Sequence, residues 1–90
     1  MIVITYDISN DDLRLQFSKF IGKFGNRLQY SVFEIMNSDR VLENIITEID
    51  GSFEKKFSQR DSVIIFNLSN QCEITRYGYA KNAESDLIIL

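Results

Sequence analysis

The feature that most restricts the fold of this chain is a change of period between Ile2 and Phe24. Ile2, Ile4 and Tyr6 alternate with Val3, Thr5 and Asp7, the two-residue repeat of a strand. From Leu13 the apolar positions spread out to Leu13, Phe17, Phe20, Ile21 and Phe24, one stripe of an amphipathic helix. Val3 is apolar on the second face, so the strand is expected at the centre of a sheet, covered on both sides. Between strand and helix, Ser9 or Asn10 is placed to cap the helix. Ser9 with Asp12 reads as a capping box in which Asp replaces Glu, and Asp11 and Asp12 suit the positive helix start. Gly25 is expected to stop the helix in the C′ position.

The same reading continues downstream. Residues 26–36 are rich in Tyr, Val, Phe and Ile, with Leu28, Tyr30 and Val32 alternating until Val32 and Phe33 fall side by side. A bulge or tight bend near Ser31 accounts for that slip. Ser38 can cap a second helix with the stripe Val41, Leu42, Ile45, Ile46 and Ile49. Gly51 ends or kinks it, and Phe53 and Phe57 continue as a further turn. Residues 62–68 and 73–79 read as strands, and residues 86–90 as an apolar final strand. The order is that of an α+β, ferredoxin-like βαββαβ sandwich with a C-terminal strand extension, its helices on one face of an antiparallel sheet. The division expected is a ferredoxin-like domain over residues 1–70 and an extension over residues 71–90. Val3, Phe33 and Ile35 are expected on the open face, which an identical partner would cover to give a homodimer. An unpaired Leu87, Ile88, Ile89 and Leu90 would be an aggregation hazard, so this tail is expected to add to a sheet of the dimer mate or of a larger partner.

Ninety residues suffice for one domain of modest stability. The chain has no His and one cysteine, Cys72. That removes Ser-His and Cys-His nucleophiles, His-bearing zinc sites and an internal disulfide. A metal here is held by oxygen, as Mg²⁺, Mn²⁺ or Ca²⁺ would be. No apolar run approaches the roughly 20 residues needed to cross a bilayer. Met1 leads directly into a strand without a signal-peptide pattern. With the lone cysteine, this makes a cytoplasmic protein without a membrane partner the simplest reading. The net charge of −3 supplies no global pull towards nucleic acid.

Two stretches are more specific than the element order. One is VITYDIS with Arg14 following. The other is FGNRLQYSVFEI, in which Arg27 leads directly into Gln29-Tyr30-Ser31-Val32-Phe33-Glu34 once Leu28 is passed, and DSVIIFNL comes after. Together they resemble the small CRISPR-associated spacer-acquisition protein family, often named a CRISPR endoribonuclease and known as the non-integrase subunit of the adaptation complex. The resemblance covers residues 1–68 and loosens from Ser69. It implies a homodimer of ferredoxin-like subunits that bridges integrase dimers and holds duplex DNA. It also implies Mg²⁺- or Mn²⁺-dependent cleavage of RNA or double-stranded DNA. On the matching positions it implies that Asp7 is a metal ligand shared across the two-fold axis, with Tyr6 beside it as a catalytic candidate. Arg14, Arg27 and Phe33 fall on functional positions as well. Gln16 stands where the family often carries another basic residue. A toxin-like ribonuclease of the virulence-associated protein D type shares the fold plan and is the alternative.

From the residues alone, several readings stay open. Asp7 is either a turn carboxylate bonded to the helix start or one of two facing carboxylates that a Mg²⁺ reconciles. Arg14, Arg27 and Lys23 are either solvated charges or a strip that grips phosphates without reading bases. Lys55, Lys56 and Arg60 are either a solvated loop or a second contact. Tyr6 either packs or turns its hydroxyl on Asp7. Phe33 is most simply a packing aromatic of the core or interface.

Overall fold

The computed structural model describes residues 1–68 and 73–78. Ile2–Asp7 (β1) leads to Asp11–Gly22 (α1), then Gly25–Gln29 (β2) and Val32–Ile35 (β3), Asp39–Glu48 (α2), Ser62–Asn67 (β4) and Glu73–Gly78 (β5). The five-stranded sheet has the order β2-β3-β1-β4-β5, and every neighbouring pair is antiparallel. This is the ferredoxin-like α+β arrangement, with β5 lengthening it at the β4 edge. Residues 69–72, with Cys72, and residues 79–90, with the apolar tail, lie outside the described residues.

β1 takes the central position because both its edges are paired. Its partners are Ile2 with Ile35 and Ile4 with Phe33 on one side, and Ile4 with Ile65 and Tyr6 with Val63 on the other. The side chains of Ile2, Ile4 and Tyr6 meet the helices and are buried there with Phe17, Ile21, Phe33, Ile35, Ile45, Ile49, Val63 and Ile65. Each such burial stabilises by roughly 1.5–3 kcal/mol. Tyr6, Phe17, Phe20, Phe24, Phe33 and Phe53 add a chain of ring contacts, the closest being Phe17 edge-on to Phe53 at 5.0 Å and to Tyr6 at 5.1 Å between centroids.

Three expectations change here. Phe33 and Ile35 are not on the open face. Their register with Ile4 and Ile2 puts them on the helix side, where they are 3% and 2% exposed. The tight bend expected near Ser31 is the Tyr30-Ser31 hairpin turn, and a separate register shift lies in β2 between Arg27 and Gln29, at Leu28. The open face instead carries Val3, Thr5, Val32, Ile64, Phe66 and Ile74, all half-buried in one chain, so β1 is not fully covered on both sides. Gly25 does not cap α1, which ends at Gly22 with Lys23 as its last cap. Gly25 lies in β2, where a Cβ would stand 2.0 Å from the Glu34 carbonyl oxygen, so only glycine permits that approach.

Capping follows local chemistry. Asn10 is the α1 cap, its side chain accepting from the Leu13 N–H at 2.9 Å, and Ser38 caps α2 through the Val41 N–H at 3.3 Å. Ser9 is released for another task. Its N–H and hydroxyl both donate to Asp61 Oδ1 at 2.9 Å, while Asp61 Oδ2 accepts from the Ser58 N–H at 2.8 Å. Past α2, Gly51 sits in a π-helical turn, Ile49–Phe53, followed by a 3-10 turn, Glu54–Lys56, which carries Phe53 into the core. No helix among the described residues is long and apolar enough to cross a membrane.

Asp61 ties the β1–α1 connection to the loop before β4. Burial alone would raise its carboxyl pKa, but the hydrogen bonds from Ser9 and Ser58 outweigh it and leave the pKa below the usual value. A depressed carboxyl stabilises the fold fully above its unfolded value, near 4, and loses that contribution as pH falls through the folded value. Asp61→Ala strands three donors at a cost of about 3 kcal/mol. The melting temperature at pH 7 should fall by about 10 °C or more. The variant's melting temperature should also change less than wild type's as pH is lowered from 5 to 2.

Candidate functional site

β2 runs parallel to β1, because both are antiparallel to β3. The chain leaves the end of α1, turns, and comes back along the sheet towards the helix start. Arg27, five residues beyond the last helical residue Gly22, is thereby returned to the neighbourhood of Arg14 in the first turns of α1. Arg14 and Arg27 line one cleft of about 370 Å³ with Tyr6, Asp11, Leu15, Ser18 and Tyr30.

Each guanidinium has a partner within the chain. Arg14 donates to the Ile8 carbonyl oxygen at 3.1 Å and pairs with Asp11 one turn earlier. Arg27 lies over the Phe33 ring, 5.1 Å from its centroid, so the buried aromatic supports the exposed cation. Phe33 in turn stacks on Tyr6 at 6.2 Å. Phe33 therefore acts within the chain, through Arg27, and has almost no surface of its own. Lys23 does not join this group. It lines a separate depression with Phe24, Asn26, Glu34 and Met36, because the helix end and the helix start lie at opposite ends of the sheet. Lys55, Lys56 and Arg60 are exposed, and Lys56 lines a shallow site with Asn10, Asp12, Leu13 and Gln16 at the start of α1.

Tyr6 and Asp7 are neighbours in sequence and point to opposite faces. Tyr6 faces the helices and the cleft; Asp7, paired in register with Ser62, is exposed on the side of Val3 and Thr5. The Tyr6 hydroxyl is thus turned away from Asp7 of the same chain. Burial pushes the Tyr6 phenol above its usual pKa, and the opposing pull of Arg27, the Ser18 hydroxyl and Arg14 does not cancel it. At neutral pH Tyr6 keeps its proton and offers the cleft a donor, not a base.

Among the described residues no group of three or more Asp, Glu, Cys or His side chains lies close enough to hold a metal ion. Asp7 by itself supplies one carboxylate at the end of a strand, so a Mg²⁺ or Mn²⁺ site built on it needs oxygen ligands from elsewhere. Asp7 lies on the open sheet face.

Sequence reasoning missed Asp61, Ser18 and Tyr30. Asp61 reads as an ordinary loop acid before a strand, and Tyr30 as one more alternating strand residue. The bend near Ser31 was legible, but the cleft that Ser18 and Tyr30 line and the approach of Ser9 to Asp61 leave no short-range signal.

The family model described as CRISPR associated protein Cas2 matches residues 1–76. Curated relatives carry the name CRISPR-associated endoribonuclease Cas2. One from Rhodospirillum rubrum is 31% identical over 74 residues, covering 82% of this chain and 57% of that protein. One from Mycobacterium tuberculosis is 30% identical over 78 residues, covering 86% of this chain and 65% of that protein. One from Archaeoglobus fulgidus is 34% identical over 76 residues, covering 81% and 76%. The chain thus spans less than two thirds of the length of the first two. Among solved structures, a hypothetical protein TT1823 from Thermus thermophilus superposes with a TM-score of 0.64 at 25% identity, over 77% of this chain and 80% of that one.

The charges around Tyr6 can be tested directly. Arg27→Gln removes the foremost influence that lowers the phenol pKa, so Tyr6 should titrate at higher pH in the variant than in wild type. Tyrosinate absorbance, with Tyr6→Phe used to assign the group, reads this shift. An unchanged titration would place Arg27 away from the phenol.

Proposed function

This chain belongs to the CRISPR associated protein Cas2 family, and from that membership we propose that it works as a homodimer in spacer acquisition, holding duplex DNA and joining integrase subunits. The observation that carries this reading is the division of labour across the sheet. The paired arginines of the cleft lie on the helix side, while the Asp7 carboxylate lies on the open side. A chain that grips phosphates on one face and keeps its carboxylate on the other is suited to holding a duplex more than to cutting the strand it grips. Arg14 and Arg27 contact phosphates, with Phe33 supporting the Arg27 guanidinium and Tyr6 donating its O–H to the same cleft. Such contacts set position and carry no base sequence.

The open face supports the dimer. Val3, Ile64, Phe66 and Ile74 are half-buried apolar side chains that a second copy would cover. In that arrangement the Asp7 carboxylates of the two copies meet near the axis and, with waters, would hold Mg²⁺ or Mn²⁺. The ion would neutralise their repulsion and make a bound water more acidic. The relatives' name supports a second reading, a metal-dependent endonuclease acting on RNA or DNA through Asp7.

Two measurements test the proposal. Four guanidiniums in a dimer predict that duplex affinity falls with salt at a log–log slope of about −3 to −4, at about −0.9 for each phosphate contact. Arg27→Ala should reduce that slope by about 2 and leave indifference to base sequence intact. A slope near zero would sink the duplex-holding role. For the axis, calorimetry should record Mg²⁺ binding to wild type and none to Asp7→Ala. In cells, Asp7→Ala should still acquire spacers if the role is architectural, and lose acquisition if cleavage is the task.

A further inference from the structure

We propose that the cleft between α1 and the β2–β3 turn receives one unpaired nucleotide, with Tyr30 stacking on its base. The inference deepens the proposed function and rests on it, because it names the form of nucleic acid that the cleft prefers.

Tyr30 is the reason. It occupies the first position of the two-residue hairpin turn, where Asn, Asp or Gly is the usual choice and a bulky aromatic has no conformational advantage. Tyr30 is 82% exposed, so the ring contributes little to the core. Yet it lines the cleft that also holds Arg14 and Arg27. An exposed aromatic face beside two supported cations is the combination that binds single strands: the cations hold phosphates and the ring stacks on a base. Leu15, 54% exposed, lines the cleft as well and adds an apolar contact for a base. Ser18 and the Tyr6 hydroxyl supply hydrogen-bonding groups. Asp11 pairs with Arg14 and shares the cleft, so an arriving phosphate competes with that carboxylate for the guanidinium. The volume of about 370 Å³ is near the lower end for a small-molecule site and suits a single nucleotide unit. A base paired within a duplex keeps its faces stacked on its neighbours, so Tyr30 has no ring to meet there. A single strand, or an overhang at a duplex end, presents one.

The test compares two fluorescent DNA probes at one salt concentration. One is a blunt duplex, the other the same duplex with a short thymidine overhang. Wild type should bind the overhang probe about five- to tenfold more tightly. Tyr30→Ala should bring that ratio to about one, and Tyr30→Phe should keep it. An overhang of abasic sites should behave as the blunt end does, which separates stacking from added phosphate charge. A matching RNA strand as a third probe distinguishes the source of the unpaired nucleotide. Melting temperatures confirm that the exposed substitutions leave the fold intact. A ratio unchanged in Tyr30→Ala overturns the inference, as does an abasic overhang that binds as well as thymidine. Binding of the duplex without overhang preference defeats only this inference. Binding of no probe defeats the duplex-holding role with it.

Discussion

Everything in this domain hangs on β1 being paired along both edges. Its alternation places Ile2, Ile4 and Tyr6 under the helices and Val3, Thr5 and Asp7 on the other side. A slip of one residue would exchange the two sets, burying Asp7 and exposing three core side chains. The register is strongly held because the core face is nearly sealed, with Ile4 at 0% exposure and its cross-strand neighbours Phe33 and Ile65 at 3% and 1%. From that one register follow the side on which Asp7 stands, the separation of Asp7 from the Tyr6 hydroxyl, and the apolar character of the open face.

The cleft depends on a second, weaker constraint: the chain must return from the end of α1 in a strand parallel to β1. That path is possible because Gly25 lets β2 approach Glu34 and Ile35 more closely than a side chain would permit. The return carries Arg27 back beside Arg14 and sets it on Phe33, whose own position is set by Ile4. A surface cation is thus oriented by two layers of core packing. Asp61 does the equivalent work at the strand ends, where one carboxylate ties Ser9, just after Asp7, to Ser58 in a distant loop. These arrangements gather two guanidiniums at one cleft even though the whole chain carries −3.

Much of this was legible in the residues. The period change at the start of the chain, the Ser38 cap and the α2 stripe led to the correct element order, because each is a local pattern decided by side-chain spacing. The family was legible in TYD and RLQYSVFE, and the match over residues 1–76 agrees. The face of Phe33 was not legible, because its register with Ile4 across the sheet sets it, and residue spacing within the strand does not reveal that pairing. Gly25 looked like a helix stop because a glycine after an apolar stripe commonly is one; its task comes from Glu34, a contact across the hairpin. Asp61 and Tyr30 were missed for the same reason, since their significance lies in groups far along the chain.

By itself, then, the sequence determined the described elements, their order, the Ser38 cap, the lack of histidine chemistry and the arginines and carboxylate available for a site, while it left the first cap open between Ser9 and Asn10. Spacing and composition act within a few residues, and those features need no more. The tertiary structure decided which of these groups meet: Arg14 with Arg27 and Tyr30, Lys23 apart from them, Tyr6 turned from Asp7, and Ser9 held by Asp61. The physical reason is that strand register and the direction of the returning chain are collective properties of the sheet. They are settled only when all the apolar faces are buried at once.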